Sequence, residues 1–465
     1  MVRPVEVMEF SGPEEEPDLR AWLAKEGLPA GKLGLRTISG EGRGLVATQK
    51  IGKGEPLLQV PAGILLTADR ALELSAVGPA MEAAGTEEWA VLAVYLAEAL
   101  AAAESGEGGP FAEYVLALPR VVGGVLEWRE KEVSELLQGS PFQEVARARI
   151  ASGRLQLTAL YWRISQSLGE IAFLSSVDAA ISDLRPVIAE HPNKRAVSAE
   201  RLRWAFGILF SRLVRLTARG EELALVPWAD MANHSPAAEC FIDYDEASKS
   251  VVLRPDRDYR AGEEVFASYG QRPSGELLLS YGFVPRDPVP YESVELTIGM
   301  DPNDSCYDQK VALLAKWNME PIETIPIRSD SLPSGLLQYA AFVMSPAPAE
   351  ELDELARASF VDGDLAGGEE GEMRGRELIL ESVKVALSKY GGSMDEDRAL
   401  SLRALGKVGC EEVGARARAF REAAAATLRL RERQILSRAE SVMRTRLREM
   451  KTGVAMPGAG FARRK

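Results

Sequence analysis

The sequence predicts an α+β protein in which short strands and helices occupy separate parts of the chain. Short apolar or alternating runs with glycine-rich turns occupy residues 33–67 and return at 223–270, a pattern typical of short strands. A mostly helical stretch lies between the two runs. From about residue 308 onward only the helical spacing of apolar residues is found. Strands and helices do not alternate along the chain, so a doubly wound parallel sheet is not expected.

The composition indicates an acidic globular protein. Of the 465 residues, 46% are hydrophobic and 27% are charged, which allows a large core. The net charge of −14 argues against tight binding to the phosphates of nucleic acids. No apolar run approaches the roughly 18 residues that span a membrane, and the acidic N-terminus resembles neither a secretory signal nor a transit peptide. We therefore expect a soluble protein without nucleic-acid or membrane partners.

The histidine and cysteine content excludes several classes of enzyme. The chain has two histidines, His191 and His234, and three widely separated cysteines. Neither paired cysteines nor the HExxH, GxSxG and GxxxxGK[ST] motifs occur, so we expect no metal. Residues 42–47, GRGLVA, formally match a dinucleotide-binding fingerprint. The chain after them returns to a strand instead of opening a helix, so that interpretation is rejected.

The chain divides into four parts by composition and periodicity. We predict an N-terminal extension (1–29), a core domain (30–303), a helical domain (304–451) and a basic tail (452–465). The core domain is interrupted by a helical insert over about 104–219.

Helices are predicted where apolar residues recur at helical spacing. These segments include residues 86–103, 201–216 and 411–450. The second segment would place Arg215 one helical turn after Arg212.

Three segments contain the polar and aromatic residues that suggest chemistry. They are EGRGLVA (41–47), ADMANHS (229–235), and SYG (268–270) followed by LLLSYGFVP (277–285). Each segment alone would be explained by an ordinary turn, a hydrogen-bonded histidine or packed aromatic rings. Their combination in this order and at this spacing is not.

Together these segments resemble the SET domain of protein lysine methyltransferases, and in detail the plant Rubisco large-subunit methyltransferase group. The resemblance extends through the insert, where it rests on Phe111-Ala112-Glu113-Tyr114, Trp204-Ala205 and Ser211-Arg212. It implies a SET fold of short strands with a pseudoknot and a helical insert, followed by an all-α substrate-binding domain. It also implies S-adenosyl-L-methionine as cofactor and a lysine-bearing protein as substrate, such as Rubisco large subunit or aldolase. The compartment implied is the plastid stroma, with the cytoplasm as the alternative.

The resemblance also implies a role for individual residues. The residues implied at the cofactor are Glu41, Gly42, Arg43, Arg212, Asn233, His234, Tyr269 and Phe283. The residues implied at the substrate are Arg212, Arg215, Asp230, Phe241, Tyr244 and Tyr281. Tyr269 is implied to be the catalytic tyrosine. His234 would then be a binding residue and not a proton carrier or metal ligand.

The chain departs from the group at Ser274-Gly275, where a Ser-Asn pair is usual. The glycine removes an amide that would help to cap the following helix or hold the tyrosine loop. The zinc-binding cysteines that follow many histone-type SET domains are absent from the sequence as well. Two other functions stay open. One is methylation of a histidine, and the other is a catalytically weak SET-like module that binds proteins.

Overall fold

The computed structural model describes residues 16–29, 31–38, 42–150, 181–333, 335–407 and 413–453. The strands in these ranges are β1 (Leu33–Ile38), β2 (Gly42–Ala47), β3 (Leu58–Pro61), β4 (Leu66–Thr67), β5 (Val214–Leu216), β6 (Glu222–Leu225), β7 (Asn233–His234), β8 (Ile242–Asp245), β9 (Ser250–Leu253), β10 (Phe266–Ala267), β11 (Ser293–Gly299) and β12 (Ile322–Arg328). Their shortness confirms the strand pattern predicted from the sequence.

Most helices of the described residues lie within residues 104–219 or after residue 303, and five lie elsewhere. The helices are α1 (Pro17–Lys25), α2 (Ala68–Leu74), α3 (Gly78–Ala83), α4 (Glu88–Ser105), α5 (Ala112–Ala117), α6 (Glu130–Leu136), α7 (Phe142–Ile150), α8 (Arg185–Glu190), α9 (Ala199–Arg212), α10 (Ser274–Tyr281), α11 (Tyr307–Lys316), α12 (Leu336–Val343), α13 (Leu352–Arg357), α14 (Gly368–Ser388), α15 (Met394–Lys407) and α16 (Val413–Thr452). In the described part of the chain, none of these helices is both long and apolar enough to cross a membrane.

The sheets join the strands on either side of the helical insert. β3 pairs antiparallel with β9, and β4 pairs antiparallel with β6, so each sheet contains strands from before and after the insert. β1 and β2 form an antiparallel hairpin. One large hydrophobic core, running from α1 to β10, underlies these sheets. The two strand regions that the sequence separates therefore fold as one unit.

The predicted helix over residues 201–216 is too long. α9 ends at Arg212, and Val214–Leu216 forms β5, in which Val214 pairs with Ala224 and Leu216 with Glu222. The apolar spacing of this short stretch fits either structure, and the hydrogen bonds to β6 favour the strand. Arg215 consequently lies on a strand and not one helical turn beyond Arg212.

The C-terminal region is helical, but the all-α prediction missed one strand. β12 pairs antiparallel with β11 over seven residues. Alternate residues of β11, Val294, Leu296 and Ile298, are buried in the same core as the C-terminal helices. Because the partner strand lies before the predicted boundary at residue 303, the helical periodicity after that residue gave no sign of the pairing.

A third, smaller core joins the insert, α10 and α16. Leu278 and Leu279 of α10 pack in one cluster with Ala424, Ala425 and Leu428 of α16. The insert adds Val125, Trp128, Val133, Leu137, Phe142, Val145 and Ala146 to this cluster. The long C-terminal helix therefore completes the packing of the region that precedes residue 303.

We expect deletion of the chain after residue 303 to cause aggregation and loss of a cooperative unfolding transition. The deletion removes α16 and uncovers Leu278 and Leu279, and each fully buried leucine contributes about 1.5–3 kcal/mol by its burial. Size-exclusion chromatography and thermal unfolding would test this. Deletion of residues 454–465 is the matched control, because it leaves α16 complete. A monodisperse truncation at residue 303 with an unchanged melting temperature would contradict the expectation.

Candidate functional site

The pairing of β7 with β10 brings two of the three chemically interesting segments together. The strands are parallel, with Asn233 opposite Phe266 and His234 opposite Ala267. Just after β10, the backbone N–H of Tyr269 donates to Nδ1 of His234 at 3.1 Å. The rings of these two residues stack with centroids 5.1 Å apart. The structure thus forms a single corner from sequence segments that lie far apart.

Four rings form a cluster at this corner. Tyr281 stacks on Tyr269 with centroids 4.6 Å apart and an angle of 29° between the rings. Phe283 lies 6.3 Å from the ring of His234, 6.5 Å from that of Tyr269 and 6.4 Å from that of Tyr281. We call His234, Tyr269, Tyr281 and Phe283 the ring cluster. It combines apolar walls with the polar groups of two tyrosines and one imidazole.

The hydroxyl group of Tyr269 is fixed in its donor form. It donates to the carbonyl oxygen of Ala232 at 2.8 Å. Burial of this hydroxyl raises the pKa of Tyr269 well above its usual value. The phenol therefore stays protonated near neutral pH, and its orientation is set by the main chain of the 229–235 segment.

His234 is held as a neutral imidazole. Burial lowers the pKa of His234 to about 4. Since Nδ1 accepts the N–H of Tyr269, the ring proton is assigned to Nε2. Nε2 is buried and has no hydrogen-bond partner among the described residues. A buried N–H without a protein partner can donate to a ligand, which suits a binding residue better than a proton carrier.

β2 brings the first segment against Asn233. Nδ2 of Asn233 donates to Oε1 of Glu264 at 2.8 Å. A Cβ atom on Gly44 would lie 2.7 Å from that nitrogen and 2.6 Å from that oxygen, so only glycine permits this close approach. Gly42 adopts φ 84° and is exposed, with open space around the position of its missing Cβ atom. Glu41 lies outside the described residues.

Arg43 points away from the ring cluster. Its guanidinium forms an ion pair with Glu16 and donates from Nη2 to the carbonyl oxygen of Ala117 at 2.6 Å. The side chain therefore ties β2 to the start of α1 and the end of α5. The role implied for Arg43 uses its backbone, and that role stays a prediction.

Arg212 is anchored by Asp230. Nη1 of Arg212 donates to the backbone oxygen of Asp230 at 2.6 Å and lies 3.5 Å from its carboxylate. The hydroxyl of Tyr114 donates to the same carboxylate at 2.7 Å. Burial raises the pKa of Asp230, while Arg212 and Tyr114 oppose the shift. Because its side chain is only 1% exposed, Asp230 is placed to orient Arg212 and not to contact a protein substrate.

Tyr114 is a site residue to which sequence reasoning gave no role. The resemblance included Tyr114 only as part of a matching stretch of the insert. Its partner in the structure lies 116 residues away. The only available signal was a tyrosine in a segment that also matched the family.

The chain before Asp230 has a backbone conformation that is uncommon for a large residue. Trp228 adopts φ 74°. The residue is 2% exposed, and the guanidinium of Arg20 lies 4.5 Å above its ring. Tight packing of the indole holds this conformation, which fixes the turn that leads to Asp230 and Asn233.

Three residues implied at the substrate are not members of the ring cluster. Arg215 forms an ion pair with Glu221 at 3.6 Å. Phe241 is 61% exposed and borders an open groove of about 480 Å³ together with Tyr244. Within the described part of the chain, no ring contact joins Phe241 or Tyr244 to the cluster. Of the aromatic residues implied at the lysine channel, only Tyr281 belongs to it.

Glu292 caps α10 in place of the asparagine amide that the Ser274-Gly275 pair lacks. Glu292 accepts the backbone N–H of Ser274 at 2.8 Å and its hydroxyl at 2.5 Å, so both bonds fall at the start of α10. A Cβ atom on Gly275 would lie 3.2 Å from the ring of Phe142, which leaves little room for a larger side chain. A downstream carboxylate thus caps the helix, and the glycine permits close packing of the insert.

The end of α10 depends on a second glycine. Gly282 adopts φ 82°, and a Cβ atom there would lie 2.5 Å from the backbone nitrogen of Gly124. This close approach fixes the turn between Tyr281 and Phe283.

In the ranges that the structure covers, no group of three or more His, Cys, Asp or Glu is arranged to hold a metal ion.

Comparison with known protein families agrees with the geometry. The family model described as SET domain matches residues 42–270, and the model described as Rubisco LSMT substrate-binding matches residues 301–436. The solved structure described as Rubisco LSMT bound to sinefungin and monomethyllysine superposes with a TM-score of 0.69. It is 25% identical and covers 95% of this chain and 94% of its own.

Curated relatives are similar over most of the chain. The chloroplastic [fructose-bisphosphate aldolase]-lysine N-methyltransferase of Arabidopsis thaliana is 27% identical, covering 86% of this chain and 79% of the relative. The chloroplastic Rubisco large subunit N-methyltransferase of Pisum sativum is 26% identical, covering 82% and 74%. The actin-histidine N-methyltransferase of Danio rerio is 26% identical, covering 74% and 54%.

The neutral state of His234 predicts a pH-dependent stability. Below pH 6.5 the unfolded chain binds a proton at this histidine, while the folded chain does so only near pH 4. Stability should therefore fall as the pH drops through this window. We expect His234→Gln to remove about 1 kcal/mol of the loss between pH 7.5 and 5.5, allowing for partial exposure.

Urea unfolding at the two pH values would measure this difference. The parent protein, unfolded in urea at the same two pH values, is the reference. An unchanged pH dependence in His234→Gln would show that this imidazole is not held neutral.

Proposed function

Because the chain contains a SET domain followed by a domain of the Rubisco LSMT substrate-binding type, we propose that it is a protein-lysine N-methyltransferase. The methyl donor is S-adenosyl-L-methionine. The observation that carries this proposal is the ring cluster, in which the protonated hydroxyl of Tyr269 is fixed beside an imidazole with an unused buried N–H.

The reaction requires little more from the protein than positioning and desolvation. Methyl transfer from a sulfonium to an amine is an in-line displacement, so the two reactants must be aligned. The lysine must also be neutral, which costs about 4–5 kcal/mol for a pKa near 10.4 at pH 7. Apolar walls such as the rings of Tyr281 and Phe283 disfavour the ammonium form by burial. The hydroxyl of Tyr269 donates to the carbonyl oxygen of Ala232 and so holds that carbonyl group in a fixed orientation at the site.

The residues around the corner fit the proposed cofactor. Nε2 of His234 offers a buried donor, and Asn233 lies beside it on β7. Arg212 is 19% exposed and is oriented by Asp230, so we assign it to the carboxylate of the methionine part. Phe283 supplies a face for the adenine, and the backbone of residues 41–43 is assigned to the amino-acid end. When bound, the cofactor supplies the methyl group.

The substrate is a protein in this proposal, and two plastid proteins are the first to test. Relatives of this chain are named as methyltransferases of aldolase and of Rubisco large subunit, both chloroplastic. We propose a plastid stromal location on that similarity. The helices of the C-terminal domain would bind the folded substrate beside the site.

The acceptor atom is the main alternative, because actin-histidine N-methyltransferases are also similar to this chain. A binding module without activity is not favoured by the orientation of Tyr269 and the neutral His234. Incubation of candidate proteins with radiolabelled S-adenosyl-L-methionine, followed by acid hydrolysis, tests all three functions. We expect label in methylated lysine. Label in methylhistidine would change the acceptor, and transfer to neither would refute the enzyme assignment.

Replacement of Tyr269 by phenylalanine should lower turnover by about ten- to thousand-fold. The loss of one hydroxyl that acts at the transition state raises the barrier by about 1.4–4 kcal/mol. The fold should persist because the stacking with Tyr281 remains. Single-turnover kinetics would measure the effect. Tyr95→Phe is the matched control, since Tyr95 is a buried tyrosine of the core. Equal rates in the two variants would place the catalytic role elsewhere.

Replacement of Asn233 by alanine should weaken S-adenosyl-L-methionine binding by about 5- to 150-fold. Loss of a buried hydrogen-bonding partner costs about 1–3 kcal/mol. Isothermal calorimetry on the folded variant would measure the affinity. Glu264→Gln serves as the control because an amide oxygen there still accepts the hydrogen bond of Asn233. Unchanged affinity in Asn233→Ala would refute the assignment of Asn233 to the cofactor.

A further inference from the structure

The two aromatic walls of the site, Tyr281 and Phe283, lie on one segment of the chain. Residues 274–286, which we call the wall segment, include all of α10, Tyr281 and Phe283. The ring of Tyr281 stacks on Tyr269, so the position of this segment determines the shape of the ring cluster. The shape of the ring cluster therefore depends on the contacts that hold the wall segment in place.

A single arginine from the C-terminal helix bonds both ends of the wall segment. Nη1 of Arg431 donates to the hydroxyl of Ser274 at 2.6 Å. Nη2 of the same guanidinium donates to the carbonyl oxygens of Pro285 at 2.6 Å and Arg286 at 2.9 Å. The planar, forked guanidinium spans two places that are separated along the chain by α10 and both aromatic walls.

The charge of Arg431 is balanced inside the protein. Its Nη1 lies 3.4 Å from the carboxylate of Glu292, and both side chains are 6% exposed. Burial lowers the pKa of Arg431, and Glu292 opposes that shift. The same carboxylate accepts both hydrogen bonds of Ser274. Because both charged groups are buried, loss of one leaves the other without its countercharge.

Apolar contacts between α10 and α16 fix the position of Arg431 along α10. Leu278 and Leu279 pack against Ala424, Ala425 and Leu428, just before Arg431 on α16. On the opposite side, the close contact of Gly282 with Gly124 prevents the end of α10 from shifting. The wall segment is thus held between the insert and the C-terminal helix.

We infer that Arg431 is a positioning residue of the methyl-transfer site, which it serves by clamping the wall segment from the C-terminal domain. The effect on methyl transfer rests on the proposed function. The clamp itself rests only on the contacts of Arg431. On this inference the C-terminal domain does more than bind a protein substrate, because it also determines the geometry of Tyr281 and Phe283.

The clamp is tested by hydrogen exchange on the full chain. We expect Arg431→Gln to accelerate backbone exchange in residues 274–286 by about ten-fold or more, since local opening is no longer opposed there. Arg433→Gln is the matched control. Arg433 is also a buried arginine on α16, but it bonds Asp397 and Gly392 within the C-terminal domain. In Arg433→Gln, the rate of backbone exchange in the wall segment should stay within about two-fold of that in the parent protein.

A conservative variant separates charge from shape. Arg431→Lys keeps a cation beside Glu292, but one ammonium does not reproduce the forked contacts to Ser274 and Pro285. We expect protection to return near residue 274 and to stay low at residue 286. Equal acceleration in the glutamine variants of Arg431 and Arg433, or no acceleration in either, would overturn the clamp.

The catalytic consequence is tested by a split between kcat and KM. We expect Arg431→Gln to lower kcat by about ten- to hundred-fold while the KM for a protein substrate changes by less than about three-fold. Arg433→Gln should leave kcat within about two-fold. A raised KM with unchanged kcat would refute the positioning role. If the parent protein transfers no methyl group, the proposed function fails, while the exchange measurement still decides whether the clamp exists.

Discussion

A buried ionisable side chain is tolerated in a protein only when it has a partner, and the middle of α16 buries four such side chains. They are Arg429, Arg431, Glu432 and Arg433. Their partners come from three regions, because Asp397 lies in α15, Ser140 in the insert and Glu292 before β11. Burial raises the pKa of Glu432 to about 8 even with donors from Ser140 and Tyr390. These regions can therefore bury the helix only by folding around it together.

The titratable groups His234 and Tyr269 of the ring cluster are uncharged near neutral pH. Burial keeps His234 neutral and Tyr269 protonated, and the two nearby arginines, Arg212 and Arg272, pair with Asp230 and Glu276. Neither group is poised to exchange a proton near neutral pH. Such an environment suits a displacement reaction, which depends on alignment and on keeping an amine neutral more than on acid–base exchange. The same burial that stabilises the corner therefore determines which chemistry it supports.

Several residues that the sequence singled out lie together in the structure, and their roles stay predictions. Asn233 and His234 pair with Phe266 and Ala267, which directly precede SYG, and the rings of Tyr281 and Phe283 contact that of Tyr269. The prediction was wrong for the helix after Arg212, since Val214–Leu216 pairs with a strand. The all-α description missed β12, whose partner lies before the boundary. In both cases short apolar segments adopt the structure of their neighbours, which local periodicity does not reveal.

By itself the sequence determined the order of most strands and helices and the chemical types gathered near Asn233 and Tyr269. These properties follow from local backbone geometry and from side-chain chemistry. Only the tertiary structure decided that Asp230 is buried beneath Arg212, that Glu292 caps α10 and that Arg431 clamps it. The reason is physical: burial, pairing and the pKa of a group depend on what packs against it. The partners lie 18 residues apart for Arg212 with Asp230 and for Ser274 with Glu292, and 157 residues apart for Ser274 with Arg431, beyond the reach of local periodicity.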